Sequence, residues 1–263
     1  MRRFLAFAFL FPTLAGVAVS QSFSDDFDRA DGSIGNGWSH ASDNSGGDMM
    51  ITGFGGSGDG AATNTGAGGN QGIHRTQSIG NSIRVQATIT ALTGSGGEPN
   101  RFESALTVNN TGTLAFVDGY GIYLNRTHGG FSNSKIQLMD NGGVGGTQLN
   151  SSFQFSSALE VDFTIFADGT ITGTISEGAN VFGFTYPAHV INASGTQFAY
   201  ASNNNSAGST QGTIDDVVLT VTGLAVPSLS FAGIAALVLT LVVSGGWIVV
   251  RRHDRLVGAG RET

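Results

Sequence analysis

The chain has 263 residues, a formal net charge of −7, 41 glycines and no cysteine. Without cysteine neither a disulfide nor a thiolate metal site can form. Between residues 21 and 224, six basic residues (Arg29, Arg75, Arg84, Arg101, Arg126 and Lys135) stand against 13 Asp and 4 Glu, a net of −11, which disfavours nucleic acid and anionic lipid as partners.

The first element in chain order is a leader. Met1-Arg2-Arg3 precedes the apolar run Phe4–Phe11, and Ala18-Val19-Ser20 supplies small residues for cleavage. Residues 1–20 are therefore expected to be a signal peptide, with a mature start near Gln21. Residues 21–224 follow, long enough for one core of their own. They carry no helical periodicity. The stretch from Ala41 to Gly72 is polar and glycine-rich and reads as a long loop, functional or disordered.

Short alternating runs come next. Ile83, Val85, Ala87 and Ile89 fall on one face of a strand. Tyr120–Leu124 and Lys135–Met139 read as further strands, the second ended by Asp140-Asn141-Gly142-Gly143. Two runs flank Asp168-Gly169, which predicts a hairpin with a two-residue loop. Phe163 and Ile165 face the core from one of its arms, Ile171 and Ile175 from the other. Ile214–Val221 is the last strand. Many short strands with Gly and Asn turns, and no helices between them, predict an antiparallel β-sandwich.

The chain ends in residues 225–263. Phe231–Val250 is apolar and uncharged, long enough to cross a bilayer as a helix. Arg251, Arg252 and Arg255 follow it and are expected to stay on the cytoplasmic side, leaving the folded domain outside.

Two stretches carry a resemblance. Phe23-Ser24-Asp25-Asp26-Phe27-Asp28-Arg29-Ala30-Asp31-Gly32, leading to Gly35-Asn36-Gly37-Trp38, resembles the opening of bacterial domains in the concanavalin A-like lectin/glucanase superfamily, laminin G-like modules included. Ile214-Asp215-Asp216-Val217-Val218-Leu219 resembles their closing strand. The resemblance implies an all-β antiparallel jelly-roll sandwich over residues 21–224, with first and last strands close together. The tail, Val226-Pro227-Ser228-Leu229-Ser230 with its apolar run and arginines, is similar to bacterial sorting tails of the IPTL/PEP-CTERM type. That likeness implies a sorting enzyme as partner and delivery to the surface or matrix. The tail departs from the pattern in lacking the Glu of Pro-Glu-Pro.

Glucanases of the superfamily place Glu-x-Asp-x-Glu or Glu-x-Asp-x-x-Glu on one strand face, as nucleophile and acid/base. Here Glu160 and Asp162 match, but Thr164 and Ile165 stand where the second Glu belongs. The pair therefore reads as the solvent face of a strand, and the chain as no enzyme. His40, His74, His128 and His189 form no zinc-type spacing. Asp25 and Asp26 on the first strand and Asp215 and Asp216 on the last converge if those strands are neighbours. That set could hold a structural calcium ion with Arg29 or a cation among the charges, or Asp26 and Asp216 could simply protect strand ends. Trp38 is either a core plug or a sugar-stacking ring. Trp38, Tyr120, Tyr123 and loop asparagines are the candidate sugar contacts.

The expected function is an exported, membrane-anchored, non-catalytic module that binds a glycan or polysaccharide of the cell envelope or matrix. The alternatives are a structural or adhesive surface protein without a glycan site, and a divergent glycan hydrolase or lyase.

Overall fold

The computed structural model describes residues 19–45, 47–53, 58–65, 69–77, 79–92, 102–126, 134–144, 149–153, 158–204 and 211–224. The leader, the apolar C-terminal segment and the arginines after it lie outside these residues, as do His128 and the glycines at 54–57 and 66–68. Val19–Leu224 form one unit, and every element below belongs to it.

Among the described residues the secondary structure is all strand. In chain order these are β1 (Val19–Asp25), β2 (Gly32–Ser33), β3 (Ser39–His40), β4 (Met50–Thr52), β5 (Ala61–Thr63), β6 (Gly69–Thr76), β7 (Ser82–Leu92), β8 (Phe102–Asn110) and β9 (Tyr120–Arg126). They continue as β10 (Ser134–Asp140), β11 (Gly143–Val144), β12 (Leu149–Phe153), β13 (Ala158–Phe166), β14 (Ile171–Glu177), β15 (Asn180–Tyr186), β16 (Gln197–Asn204) and β17 (Gln211–Leu224). The first sheet runs β15-β14-β13-β7-β17-β5-β4-β2, with β1 also on β17. The second runs β11-β10-β9-β8-β16-β6-β3, with β12 also on β10.

The pairings are antiparallel, and period-2 burial follows directly. Ile83, Val85 and Ile89 of β7 and Phe163 and Ile165 of β13 are fully buried. They meet Leu106, Ile122, Leu124 and Phe198 from the second sheet in one core. The expected sandwich is therefore present. The first and last strands are neighbours, with Asp25 opposite Val217.

Three local features differ from the sequence reading. The stretch 41–72 contributes β4, β5 and the start of β6, so it is not a plain loop. The β13–β14 turn centres on Ala167-Asp168, with the Gly169 amide donating to the Phe166 carbonyl at 2.9 Å. Gly169 takes the left-handed φ of +82°, whereas Asp168 does not. This is a three-residue loop rather than the two-residue Asp-Gly loop. The third feature is a bulge in β17. Asp215 faces Thr88 and Val218 faces Gln86, leaving one residue extra. Asp216 absorbs it at φ +49°, so Ile214 and Val217 both reach the core.

A two-residue loop does occur at Asn141-Gly142, with φ of +51° and +77° and Asp140 paired to Gly143. Asn tolerates this left-handed backbone, and Ala does so at a cost of roughly 1 kcal/mol. Asn141→Ala is therefore expected to lower Tm by about 3 °C in differential scanning calorimetry, while an alanine at exposed Thr172 leaves it unchanged.

Candidate functional site

The opening motif folds around one carboxylate. Asp25 ends β1 and is 5% exposed. Its two oxygens accept from the Phe27 amide at 3.0 Å, Arg29 Nη1 at 2.7 Å and Nη2 at 3.2 Å, Asn36 Nδ2 at 3.0 Å and Trp38 Nε1 at 2.7 Å. Arg29 also donates to the Ile34 carbonyl from Nε at 2.9 Å. Burial pushes the Asp25 carboxyl up, but the hydrogen bonds from Arg29, Phe27, Asn36 and Trp38 outweigh it and hold the group below the usual carboxylate range. The Asp, Arg and Trp of the motif therefore serve one another.

This arrangement corrects two expectations. Asp25 has its oxygens committed and does not join Asp26, Asp215 and Asp216 in a coordination set. Asp26 is exposed and accepts from the Asp28 amide, and Asp215 accepts from the Asp216 amide. Among the described residues no three His, Asp or Glu side chains converge as metal ligands, and the four Asp expected to share a calcium ion do not form such a group. Trp38 is 6% exposed, with its ring centroid 5.6 Å from Phe27 and 6.0 Å from both Phe23 and Phe198. It is the core plug, and no face is left for a sugar to stack on.

Tyr120 is likewise sealed in the core at 0% exposure. Its hydroxyl donates to the Gly169 carbonyl and its ring stacks on His189 at 5.9 Å. Burial, then Asp140 and Asp168, push its hydroxyl up to about 12. Tyr123 differs. Three residues after the inward Tyr120 on the same strand, it points to the outer face of the second sheet, 9% exposed. There its ring meets Phe116 edge-on at 5.9 Å.

That outer face is organised in rows across the strands. One row sets His74, Ala199, Thr107, Gly121 and Met139 side by side, and the next sets Gly72, Ala201, Ala105, Tyr123 and Gln137. The segment Thr111–Gly119 straps over these small side chains. Leu114, Ala115 and Phe116 close a second apolar cluster with Ala105, Tyr123 and Ala201. A side chain at Gly72 would meet Leu114 at 2.9 Å. The strap is pinned by Asp43, which accepts from the Leu114 amide at 2.6 Å, and by Asp118, which accepts from Thr111 Oγ1 at 2.6 Å and its amide at 2.8 Å.

The third row is polar throughout: Asn70, Asn203, Glu103, Asn125 and Lys135 pair in register across β6, β16, β8, β9 and β10. Asn203 Nδ2 donates to Glu103 Oε2 at 2.6 Å. Asn125 Nδ2 donates to Tyr123 Oη at 2.7 Å and to Glu103 Oε1 at 3.4 Å. Sequence reasoning singled out none of Glu103, Asn125 or Asn203. The only signal was a charged or amide residue at the outward position of each of several strands, and the rows depend on register.

On the first sheet's outer face Asp162 accepts from Arg84 Nε at 2.8 Å and Nη2 at 2.5 Å. Glu160 is exposed and accepts from Ser176 Oγ at 3.3 Å. Both lie on a strand's solvent side, as expected. Nearby, a cleft of about 650 Å³ is bordered by Asp26, Asp28, Arg29 and Asp216. A second, of about 340 Å³, is bordered by Thr52, Asp59, Thr88, Asp215 and Asp216. Burial, then the nearby charges of Asp216, Asp59 and Asp28, raise the Asp215 carboxyl to about 7.

No family model and no curated protein matches the sequence. Solved structures do. Lectin UEA-II complexed with galactose matches with a TM-score of 0.53 at 10% identity, over 78% of this chain and 99% of the lectin. Peanut lectin with a nine-residue peptide matches at 0.52 and 10% identity, over 77% of this chain and 97% of its own. Basic winged bean lectin with Tn-antigen matches at 0.51 and 6% identity, over 77% and 98%. The chain has the fold of the legume lectins, the concanavalin A-like sandwich. This likeness is one of fold, and at such identities no site residue is carried across from those lectins. The lectin-like sandwich presents two outer faces. One bears Glu160 and the Arg84–Asp162 pair, the other the strapped rows and Glu103.

Proposed function

We propose that residues 21–224 form a non-catalytic carbohydrate-binding module, exported through the leader at 1–20 and held at the cell envelope or passed to the extracellular matrix through residues 225–263. The observation that supports it is the lectin-like sandwich whose second sheet carries, on its outer face, a continuous polar row beside Tyr123 and Phe116. Amides, a carboxylate and aromatic edges are the groups that satisfy a polyol, which offers many hydroxyls and apolar C–H faces. Fold does not assign function, so the site's chemistry has to carry it. Glu160 and Asp162 lack a second Glu on their strand, and Asp162 is already bound by Arg84, which favours binding over glycoside hydrolysis.

The test uses the full chain in detergent micelles against immobilised polysaccharides, in calcium and in chelator. Retention on at least one glycan, unchanged by chelator, is expected. Silence on every glycan from a protein with a cooperative unfolding transition overturns the reading and leaves a structural surface protein. Release of reducing ends from a retained polysaccharide overturns the non-catalytic part.

A further inference from the structure

We propose that Lys135 and Asn125 are joined by an intramolecular isopeptide bond, formed with Glu103 as the proton-transferring group. Lys135 is the one lysine among the chain's 12 basic residues, and all the others are arginine. A primary side-chain amine therefore occurs at a single place. That place lies directly opposite Asn125 in the register of β10 with β9, and Asn125 in turn lies opposite Glu103 on β8. Asn125 Nδ2 donates to Glu103 Oε1 at 3.4 Å and to Tyr123 Oη at 2.7 Å, so the carboxylate already touches the nitrogen that has to leave. Asn125 and Glu103 are each 9% exposed, and Asn125 Oδ1 is enclosed without a hydrogen-bond partner. Lys135 is half-buried, and among the described residues no carboxylate pairs with it.

An amine, an amide and a carboxylate on three adjacent strands are the groups this reaction needs. Cβ atoms opposite one another on antiparallel strands lie ~4.5–5.5 Å apart, and the four-carbon lysine stem spans that gap. Lys135 Nζ attacks Asn125 Cγ. The Nζ–Cγ bond forms and the Cγ–Nδ2 bond breaks. The lysine nitrogen starts as an ammonium with three protons and ends as an amide N–H with one. The other two protons pass to Nδ2, which leaves as ammonium, so charge balances and no oxidant or second reactant is required. On the tetrahedral carbon the two nitrogens are neighbours, and a carboxylate resting against Nδ2 takes a proton from one and gives it to the other. Strand register supplies the fixed geometry that attack by one side chain on another requires. Enclosure excludes the water that would hydrolyse the amide to aspartate instead. The product ties β9 to β10 covalently, in a chain with no cysteine to do so by a disulfide.

The single lysine makes the test direct. Lysyl endopeptidase cuts only after a lysine whose side-chain amine is free. The full chain, folded in micelles and then denatured, is expected to resist it and stay whole. Its mass is expected to be lower by one ammonia than the sequence between its termini requires. Cyclisation of an N-terminal Gln21 would lose the same mass, so tandem mass spectrometry of a chymotryptic digest is added, and a branched peptide joining Lys135 to Asn125 is expected. Glu103→Gln keeps the shape but loses the carboxylate, and it is expected to be cut in two at Lys135. Cutting of the wild-type chain, taken from a preparation with a cooperative unfolding transition, overturns the proposal whether or not Glu103→Gln folds. An uncut chain of raised mass, the mark of an acylated lysine, overturns it too, as does a branch to any residue but Asn125. A folded Glu103→Gln that stays uncut and branched overturns the part given to Glu103.

Discussion

Replacing Asp25 by Ala lowers Tm by about 10 °C or more. The carboxylate holds five donors on two oxygens, and each loses its acceptor in the variant. Trp38 Nε1 is buried within an aromatic cluster, where water cannot replace the lost partner. The Arg29 guanidinium, paired with Asp25 at 2.7 Å, is left beside apolar rings as an uncompensated charge. Removing one member of a buried, hydrogen-bonded pair costs about 3–5 kcal/mol, and a domain of this size loses roughly 2–4 °C per kcal/mol. Phe27 adds to the effect. It is a bulky residue at φ +52°, a conformation that persists only where neighbours enforce it, and the Asp25 Oδ1 bond to its amide is one such restraint. Calorimetry measures the shift, and the near-ultraviolet signal of Trp38 reports the local loosening. A fall of less than 3 °C would show that the motif is not held from Asp25. The folded-state pKa of Asp25 is depressed, so its contribution is present above the unfolded value of 3.8 and is lost as pH falls through the lower folded value.

Asp215→Asn has the opposite sign, and its effect depends on pH. Asp215 has a folded-state pKa of about 7 against 3.8 unfolded. Between these values the native state holds a proton that the unfolded state has released. Stability therefore falls as pH rises from about 4 to 7 and is flat above. The full shift corresponds to about 4 kcal/mol, and solvent screening of a half-exposed group reduces this to about 2 kcal/mol. The asparagine keeps the oxygen that accepts from the Asp216 amide and removes the charge opposed by Asp216, Asp59 and Asp28. Tm is expected to rise by about 4–8 °C at pH 8 and to match wild type at pH 4. An equal gain at both pH values would mean that packing, not charge, separates the two proteins. No gain at pH 8 would mean that Asp215 is ordinarily solvated.

Much of the strand content was legible because burial imposes a period of two on the side chains that reach the core. Ile83, Val85 and Ile89, and Phe163 and Ile165 opposite Ile171, repeat at that period and are buried at it. Turn geometry was less legible. Asp168-Gly169 reads as a two-residue loop, but pairing of Ile165 with Ile171 moves the turn one residue back. The Ile214–Val217 bulge was invisible for the same reason. Strict alternation puts Ile214 with Asp216, and only the partner strand β7 forces Val217 inward. The acidic motif residues were legible as a group, but their use was not. Nothing local distinguishes an Asp that binds a cation from one that accepts from Trp38 and Arg29. Among the three aromatic candidates, Tyr120 and Tyr123 are separated by three positions and face opposite sides of one sheet.

By itself the sequence determined that this domain is a strand-built, cysteine-free, acidic sandwich, because composition and alternation act residue by residue. Tertiary structure alone decided which strands became neighbours. Asn125 and Asn203 stand either side of Glu103 although they come from segments far apart in the chain. Their meeting depends on pairing register, which is set when two sheets bury their apolar faces together, and a slip of one residue would send each of them to the other face.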